Sequence, residues 1–164
     1  MPASGPAPGR SGQLWILLSF VLVCLAAGLL GSLATAPQIP TWYASLAKPS
    51  WNPPNWVFGP VWTTLYVLMG VAAWLVWRRA SFRGRAAGLF WSQLALNALW
   101  SILFFGLENP GAAFAEIVLL WVLIAATVRD FARISRISAG LLAPYLAWVT
   151  FASALNFTIW RMNG

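Results

Sequence analysis

The sequence predicts an all-α fold, an integral membrane bundle of five transmembrane helices, and three observations carry that prediction. First, 60% of the residues are apolar and only 8% are charged, a balance outside the range of water-soluble domains. Second, five nearly uncharged segments are each about as long as the ~20 residues a helix needs to cross a bilayer. Third, their apolar residues run continuously instead of alternating, which argues against barrel strands; lipid-exposed backbone must then bond within helices. The segments leave no room for a separate soluble domain.

The same composition excludes several functions. A net charge of +7 could suggest nucleic acid as a partner, but no soluble face exists to present it, so the basic residues read as topology signals. Histidine is absent, which removes the commonest metal ligand, the usual general base and every Ser-His or Cys-His pair. No metal site and no obligatory cofactor are expected. The single cysteine, Cys24, lies in an apolar stretch and reads as a small packing residue.

Taken in order, residues 1–12 are dominated by Pro, Gly, Ala and Ser and are expected to form a disordered tail. The first helix is expected over about 13–36. A cleaved signal peptide is rejected because Leu14 to Leu33 is too long for its apolar core and four more spans follow. Gly28, Gly31 and Ser32 allow close approach of a neighbour or ligand. Residues 37–55 form the longest connection, stiffened by Pro37, Pro40, Pro49, Pro53 and Pro54, and are expected to be a structured lid. The second helix spans about 57–77 with Pro60 in its first turn, and Arg78, Arg79, Arg83 and Arg85 mark an aqueous loop. The third covers about 86–105. The short turn 106–110 makes the third and fourth helices antiparallel neighbours. The fourth, about 111–128, carries Glu116, the only acid within a span; Arg129, Asp130, Arg133 and Arg136 mark the next loop. The fifth, about 139–160, contains Pro144 and is expected to kink.

Eight basic residues fall on one side, namely Arg10, Arg78, Arg79, Arg83, Arg85, Arg129, Arg133 and Arg136, against Lys48 and Arg161 on the other. The positive-inside rule therefore predicts a cytoplasmic N-terminus and places the proline-rich connection on the far side.

That topology assigns each side chain a depth. Trp62 and Tyr66 lie one helical turn apart on one face; Gln93, Asn97 and Trp100 share a stripe, as do Trp148, Ala152, Leu155 and Asn156. Asn97 and Trp100 of the third helix fall in the same half of the membrane as Trp62 and Tyr66. With the stripe on the fifth helix, which runs from the midplane toward the lid side, and Glu116, polar and aromatic residues from separate helices thus converge in depth, and that convergence points to a site. Structural roles compete. Trp15, Trp56, Trp74, Trp77, Trp91 and Trp160 suit an interfacial belt, and Gln93, Asn97 and Asn156 could simply bond helices together. Trp62, Trp100, Trp121 and Trp148 lie too deep for a belt, leaving packing or ligand contact; Glu116 could be solvated near a helix start. Gly84, Gly88 and Ser92 repeat a small residue every fourth position and form a candidate dimer face.

The run from Lys48 to Tyr66 (KPSWNPPNWVFGPVWTTLY), with Gln93-Leu-Ala-Leu-Asn-Ala-Leu-Trp100, Phe104-Phe105-Gly106, Pro144-Tyr-Leu-Ala-Trp148 and Leu155-Asn156, resembles the tryptophan-rich sensory protein and translocator protein family. The resemblance extends over the chain after the tail. It implies a five-helix bundle, usually a homodimer, whose pocket opens toward the first connection and binds porphyrins such as protoporphyrin IX or other apolar small molecules. It further implies a receptor, sensor or transporter in a bacterial inner membrane, or else light- and oxygen-dependent porphyrin degradation. In that second case Trp62 and Trp148 correspond to the family's reactive tryptophans. By the same resemblance, Ser32, Trp51, Phe58, Gly59, Val61, Asn97, Trp100, Leu119, Ala152 and Leu155 line the pocket. Ala112 stands where animal members carry a pocket tryptophan, and Glu116 where they carry Asp, so tight binding of their synthetic ligands is not expected. With Phe157 in place of the Tyr of a proposed sterol-contact pattern and an Arg- and Ala-rich composition, cholesterol transport is not expected either.

Overall fold

A computed structural model describes residues 9–80 and 82–164. Among these residues the chain is helical: α1 Arg10–Thr35, α2 Trp42–Ser45, α3 Asn55–Arg79, α4 Gly84–Ser101, α5 Pro110–Ile134 and α6 Arg136–Asn163. α4 runs on into a π-helical turn, Ile102–Gly106. The five long helices are each long and apolar enough to cross a membrane. Neighbours close a ring in the order α1, α3, α6, α5, α4 and back to α1, with the α4–α5 pair adjacent as the short turn requires.

Several boundaries differ from the sequence expectation. Arg10 to Gly12, expected in the tail, are the first residues of α1, while residues 1–8 of that tail lie outside the described residues. α3 begins at Asn55, so Pro60 sits in its second turn rather than its first and the Trp56 carbonyl loses its helical amide partner. The loop expected around Arg129 to Arg136 shrinks to Ser135. Its flanking helices persist past the apolar segment because arginine is a good helix former and Asp130 anchors the end: it pairs with Arg85 at 3.0 Å and Arg133 at 3.7 Å. Ser135 adopts an extended backbone, and its hydroxyl caps α6 by accepting from the Ser138 amide at 3.2 Å. Asn109 caps α5 similarly, accepting from the Ala112 amide at 2.9 Å, with Pro110 at the first helical position.

Two glycines permit close helix contact. A Cβ on Gly70 would stand 2.6 Å from the Val21 Cα, so this glycine lets α3 press on the α1 backbone. A Cβ on Gly28 would overlap the Tyr66 ring, so that glycine seats the ring. Gly84 opens α4 with φ +62°, a conformation that favours glycine for local reasons. The buried interior falls into two clusters: one centred on Met69, Phe90, Ile124, Phe131 and Tyr145, the other on Tyr43, Phe104, Phe105, Leu155 and Ile159. The exterior is strongly apolar, with Trp15, Leu22, Leu29, Leu33 and Val122 exposed, as a lipid-facing surface requires.

Candidate functional site

The connection between α1 and α3 forms the roof of the site, and specific bonds hold it. α2 turns Tyr43 inward against Phe105 and Phe104, at ring separations of 5.6 and 6.3 Å. The Tyr43 hydroxyl donates to Asn52 Oδ1 at 3.0 Å, while Asn52 Nδ2 donates to the Pro53 carbonyl at 3.0 Å. Burial pushes the Tyr43 phenol above its ordinary range, and the bond to Asn52 acts weakly in the opposite direction. Lys48 donates to the Leu46 carbonyl at 2.8 Å and lies over the Tyr43 ring at 4.7 Å. At the end of α6, Asn163 clasps Ala47: its Oδ1 accepts from the Ala47 amide and its Nδ2 donates to the Ala47 carbonyl, both at 2.9 Å.

Beneath this roof lies a cavity of about 570 Å³, walled by α1, α3, α4 with its π turn, and α6. Its aromatic lining comprises Tyr43, Trp56, Phe58, Trp62, Tyr66, Trp100, Phe104, Phe105 and Trp148. Among the described residues no charged side chain lines it. Trp62 lies 5.6 Å from the Tyr66 ring, and Trp148 packs between Phe58 at 5.8 Å and Phe151 at 5.4 Å. At the π turn Phe104 stacks on Trp100 at 5.2 Å, while Phe105 stands edge-on to both, 4.8 Å from Phe104 and 6.0 Å from Trp100.

Polar side chains below the cavity bond the helices to one another. The Tyr66 hydroxyl donates to Asn97 Oδ1, Asn97 Nδ2 donates to the Tyr145 hydroxyl at 3.0 Å, and that hydroxyl donates to Gln93 Oε1 at 2.9 Å. The chain ties α3, α4 and α6 together. Trp100 Nε1 donates to Asn156 Oδ1 at 3.0 Å, and Asn156 Nδ2 donates to the Pro110 carbonyl at 2.8 Å. Asn97 and Asn156 thus bond helices and also face the cavity, whereas Gln93 is buried deeper. Glu116 is buried, and neither carboxylate oxygen has a hydrogen-bond partner among the described residues. The deep Trp121 donates to Thr150 at 2.8 Å and stands outside the cavity.

Of the sequence-derived pocket residues, Ser32, Phe58, Gly59, Trp62, Tyr66, Asn97, Trp100, Trp148, Ala152 and Leu155 share this cavity. Three do not. Leu119 points outward, because α5 packs behind α4 and α6 and contributes nothing to the wall. Val61, about 100° around α3 from Trp62, faces a second groove between α3 and α6 together with Pro60, Thr64 and Pro144. Trp51 lies on the connection against Phe151, ring centroids 5.8 Å apart, and is half exposed. Conversely Trp56, read from the sequence as an interfacial residue, lines the mouth. The signal was present: Trp56, Gly59, Thr63 and Tyr66 form one helical stripe. Gly84, Gly88 and Ser92 are exposed on the outer face of α4, where a Cβ on either glycine would meet nothing within 4 Å.

Five spans, four of which wall an aromatic cavity roofed by a fastened connection, define a multi-pass membrane protein with an apolar, partly open pocket. The chain belongs to the TspO/MBR family, whose family model matches residues 20–161. It is 45% identical over 148 residues to the tryptophan-rich protein TspO of Archaeoglobus fulgidus, covering 90% of this chain and 96% of that protein. It is 46% identical over 126 residues to the human translocator protein, covering 74% and 75%, and 39% identical over 150 residues to the tryptophan-rich sensory protein of Cereibacter sphaeroides, covering 91% and 92%.

Proposed function

We propose that the cavity binds a porphyrin of the protoporphyrin IX type, and that the protein acts as a receptor, sensor or transporter for it in a bacterial inner membrane, with its N-terminus in the cytoplasm. The observation that carries the reading is the cavity itself. Its volume of about 570 Å³ lies within the ~300–1,000 Å³ usual for small-molecule sites, and a lining of aromatic side chains suits an apolar aromatic macrocycle. A metal-free ring is the better fit, since the chain offers no histidine to ligate iron. The names of the relatives, a sensory protein and a translocator, accord with binding or movement of a ligand. Purified protein titrated with protoporphyrin IX is expected to show saturable quenching of tryptophan fluorescence; absence of saturable binding refutes the reading.

A second reading, porphyrin breakdown under light and oxygen, is favoured by one observation: Trp62 and Trp148 both reach the cavity, where a bound ring would lie against them. Loss of porphyrin absorbance on illumination, abolished in Trp62→Phe and Trp148→Phe, would establish it. Unchanged spectra on illumination of the bound complex would leave binding alone. Assembly as a homodimer through Gly84, Gly88 and Ser92 is part of the proposal. Gly88→Leu is expected to abolish cross-linked dimer without lowering the monomer's melting temperature, because among the described residues no atom lies within 4 Å of a Cβ at that position.

A further inference from the structure

We infer that the cavity is loaded sideways from the apolar phase around the bundle, through a slot between α1 and α3, so that its ligand is a molecule dissolved in the bilayer and not one that descends through the roof. The inference rests on the reading of this cavity as a ligand site.

The two helices touch at one level and part at another. Away from the roof, α3 presses on the α1 backbone at Gly70, and one turn nearer the roof the Tyr66 ring sits against Gly28. Nearer still, α1 offers Ser32 and Ala36 to the cavity and α3 offers Gly59 and Thr63, and all four are exposed. Among the described residues nothing lies within 4 Å of a Cβ on Gly59, so no α1 side chain closes the seam at that level.

The other walls are shut. Asn97, Phe104, Phe105, Leu155, Asn156 and Ile159 line the same cavity and are buried. Lining the cavity therefore does not by itself expose a residue, and the exposure along α1 and α3 belongs to an outer surface. There the wall is one layer of small side chains, and at Gly59 it is bare backbone. Phe58 and Trp148, 5.8 Å apart, fill the seam between α3 and α6, and the bonds of Asn163 to Ala47 and Tyr43 to Asn52 fasten the roof.

Depth decides what the slot faces. Gly59 and Thr63 lie about 6 and 12 Å along α3 from its roof end, and Ser32 lies about 5 Å from the corresponding end of α1. α3 is about 37 Å long against a hydrocarbon core of ~30 Å, so the slot opens partly onto acyl chains and partly onto headgroups. Its exposed lips match those two zones, Leu29 at the deeper level and Trp56 at the interface. A flat apolar molecule already dissolved in the bilayer meets this slot without unfastening the roof.

The test mixes protein with detergent micelles loaded with protoporphyrin IX, follows saturable tryptophan quenching by stopped flow, and reads dissociation into excess empty micelles. Gly59→Phe fills the slot, and the space around that position accepts the ring; Ser32→Phe narrows the slot from the α1 side and serves if the first variant fails to fold. Thr64→Phe adds the same bulk to the groove between α3 and α6, and Asn163→Ala unfastens the roof. Either slot variant is expected to slow association about ten-fold and to slow dissociation with it, because passage both ways must wait for the ring to swing aside. Thr64→Phe and Asn163→Ala should keep the wild-type association rate within about two-fold. Unchanged association in the folded slot variants overturns the inference, even where faster dissociation weakens binding. So does faster association in Asn163→Ala, which puts the entrance in the roof, or equal slowing by Thr64→Phe, which puts it between α3 and α6. Saturable porphyrin binding that ignores the slot variants removes only the slot. If wild type binds no porphyrin, the porphyrin reading falls and the same rates are read with pyrene by energy transfer from tryptophan; a cavity that takes neither probe overturns the slot as well.

Discussion

Asn163→Ala should unfasten the roof of the cavity while leaving the bundle intact. The wild-type carboxamide holds the Ala47 amide and carbonyl at 2.9 Å each and also donates to its own helix at the Ile159 carbonyl, 2.8 Å away. Alanine removes both links to a segment 116 positions earlier in the chain and touches no core contact. A neutral hydrogen bond contributes about 0.5–1.5 kcal/mol net, and exposure places these two toward the lower end, so the local loss is about 1–2 kcal/mol. That corresponds to a roughly five- to thirty-fold rise in the opening equilibrium of the connection. Hydrogen exchange followed by mass spectrometry should show this acceleration in peptides covering residues 44–50 and little change in α3 to α5. Asn163→Asp, which sets a carboxylate oxygen against the Ala47 and Ile159 carbonyls at the C-terminal end of its helix, should accelerate exchange at least as much as alanine. Unchanged exchange around Ala47 in the alanine variant would refute the clasp, and acceleration throughout the bundle would refute its local character.

Two further outcomes test other parts of the fold. Gly70→Ala places a methyl 2.6 Å from the Val21 backbone, which cannot yield as a side chain would; α1 and α3 must separate, at a cost of about 1–3 kcal/mol, and a thermal melt should show the loss. The buried Tyr43 phenol, raised above its ordinary range, stabilises the roof fully below about pH 10, the unfolded value, and loses that contribution as pH climbs through the folded one. Exchange around residues 42–52 should therefore accelerate with alkali beyond the intrinsic base-catalysed rate in wild type, and Tyr43→Phe should remove that excess.

Much of the fold was legible in the sequence because membrane insertion imposes one demand, continuous apolarity over a bilayer's thickness, that needs no partner to be read. The five spans follow from it, as does the neighbouring pair joined by residues 106–110. Boundaries were less legible. Polar turns at the ends of spans, such as Arg129 to Ile134, look like loop but remain helical once Asp130 finds Arg85 across the bundle. The convergence of Trp62, Tyr66, Asn97, Trp100 and Trp148 could be read from depth and helical stripes, since rise per residue is a local quantity.

What only the tertiary structure decided is rotation and neighbour order. Whether Val61 or Trp62 faces the cavity depends on how α3 is turned against α6, and whether Leu119 reaches it depends on α5 standing behind its neighbours; spacing along one helix contains neither. The direction of the Tyr66–Asn97–Tyr145–Gln93 chain is decided there too, because a proton's commitment requires three helices to meet. By itself the sequence determined that this chain is a membrane bundle with an aromatic, polar-flecked half. Packing around that half decided which faces line a cavity and which polar side chains bond one helix to another beneath it.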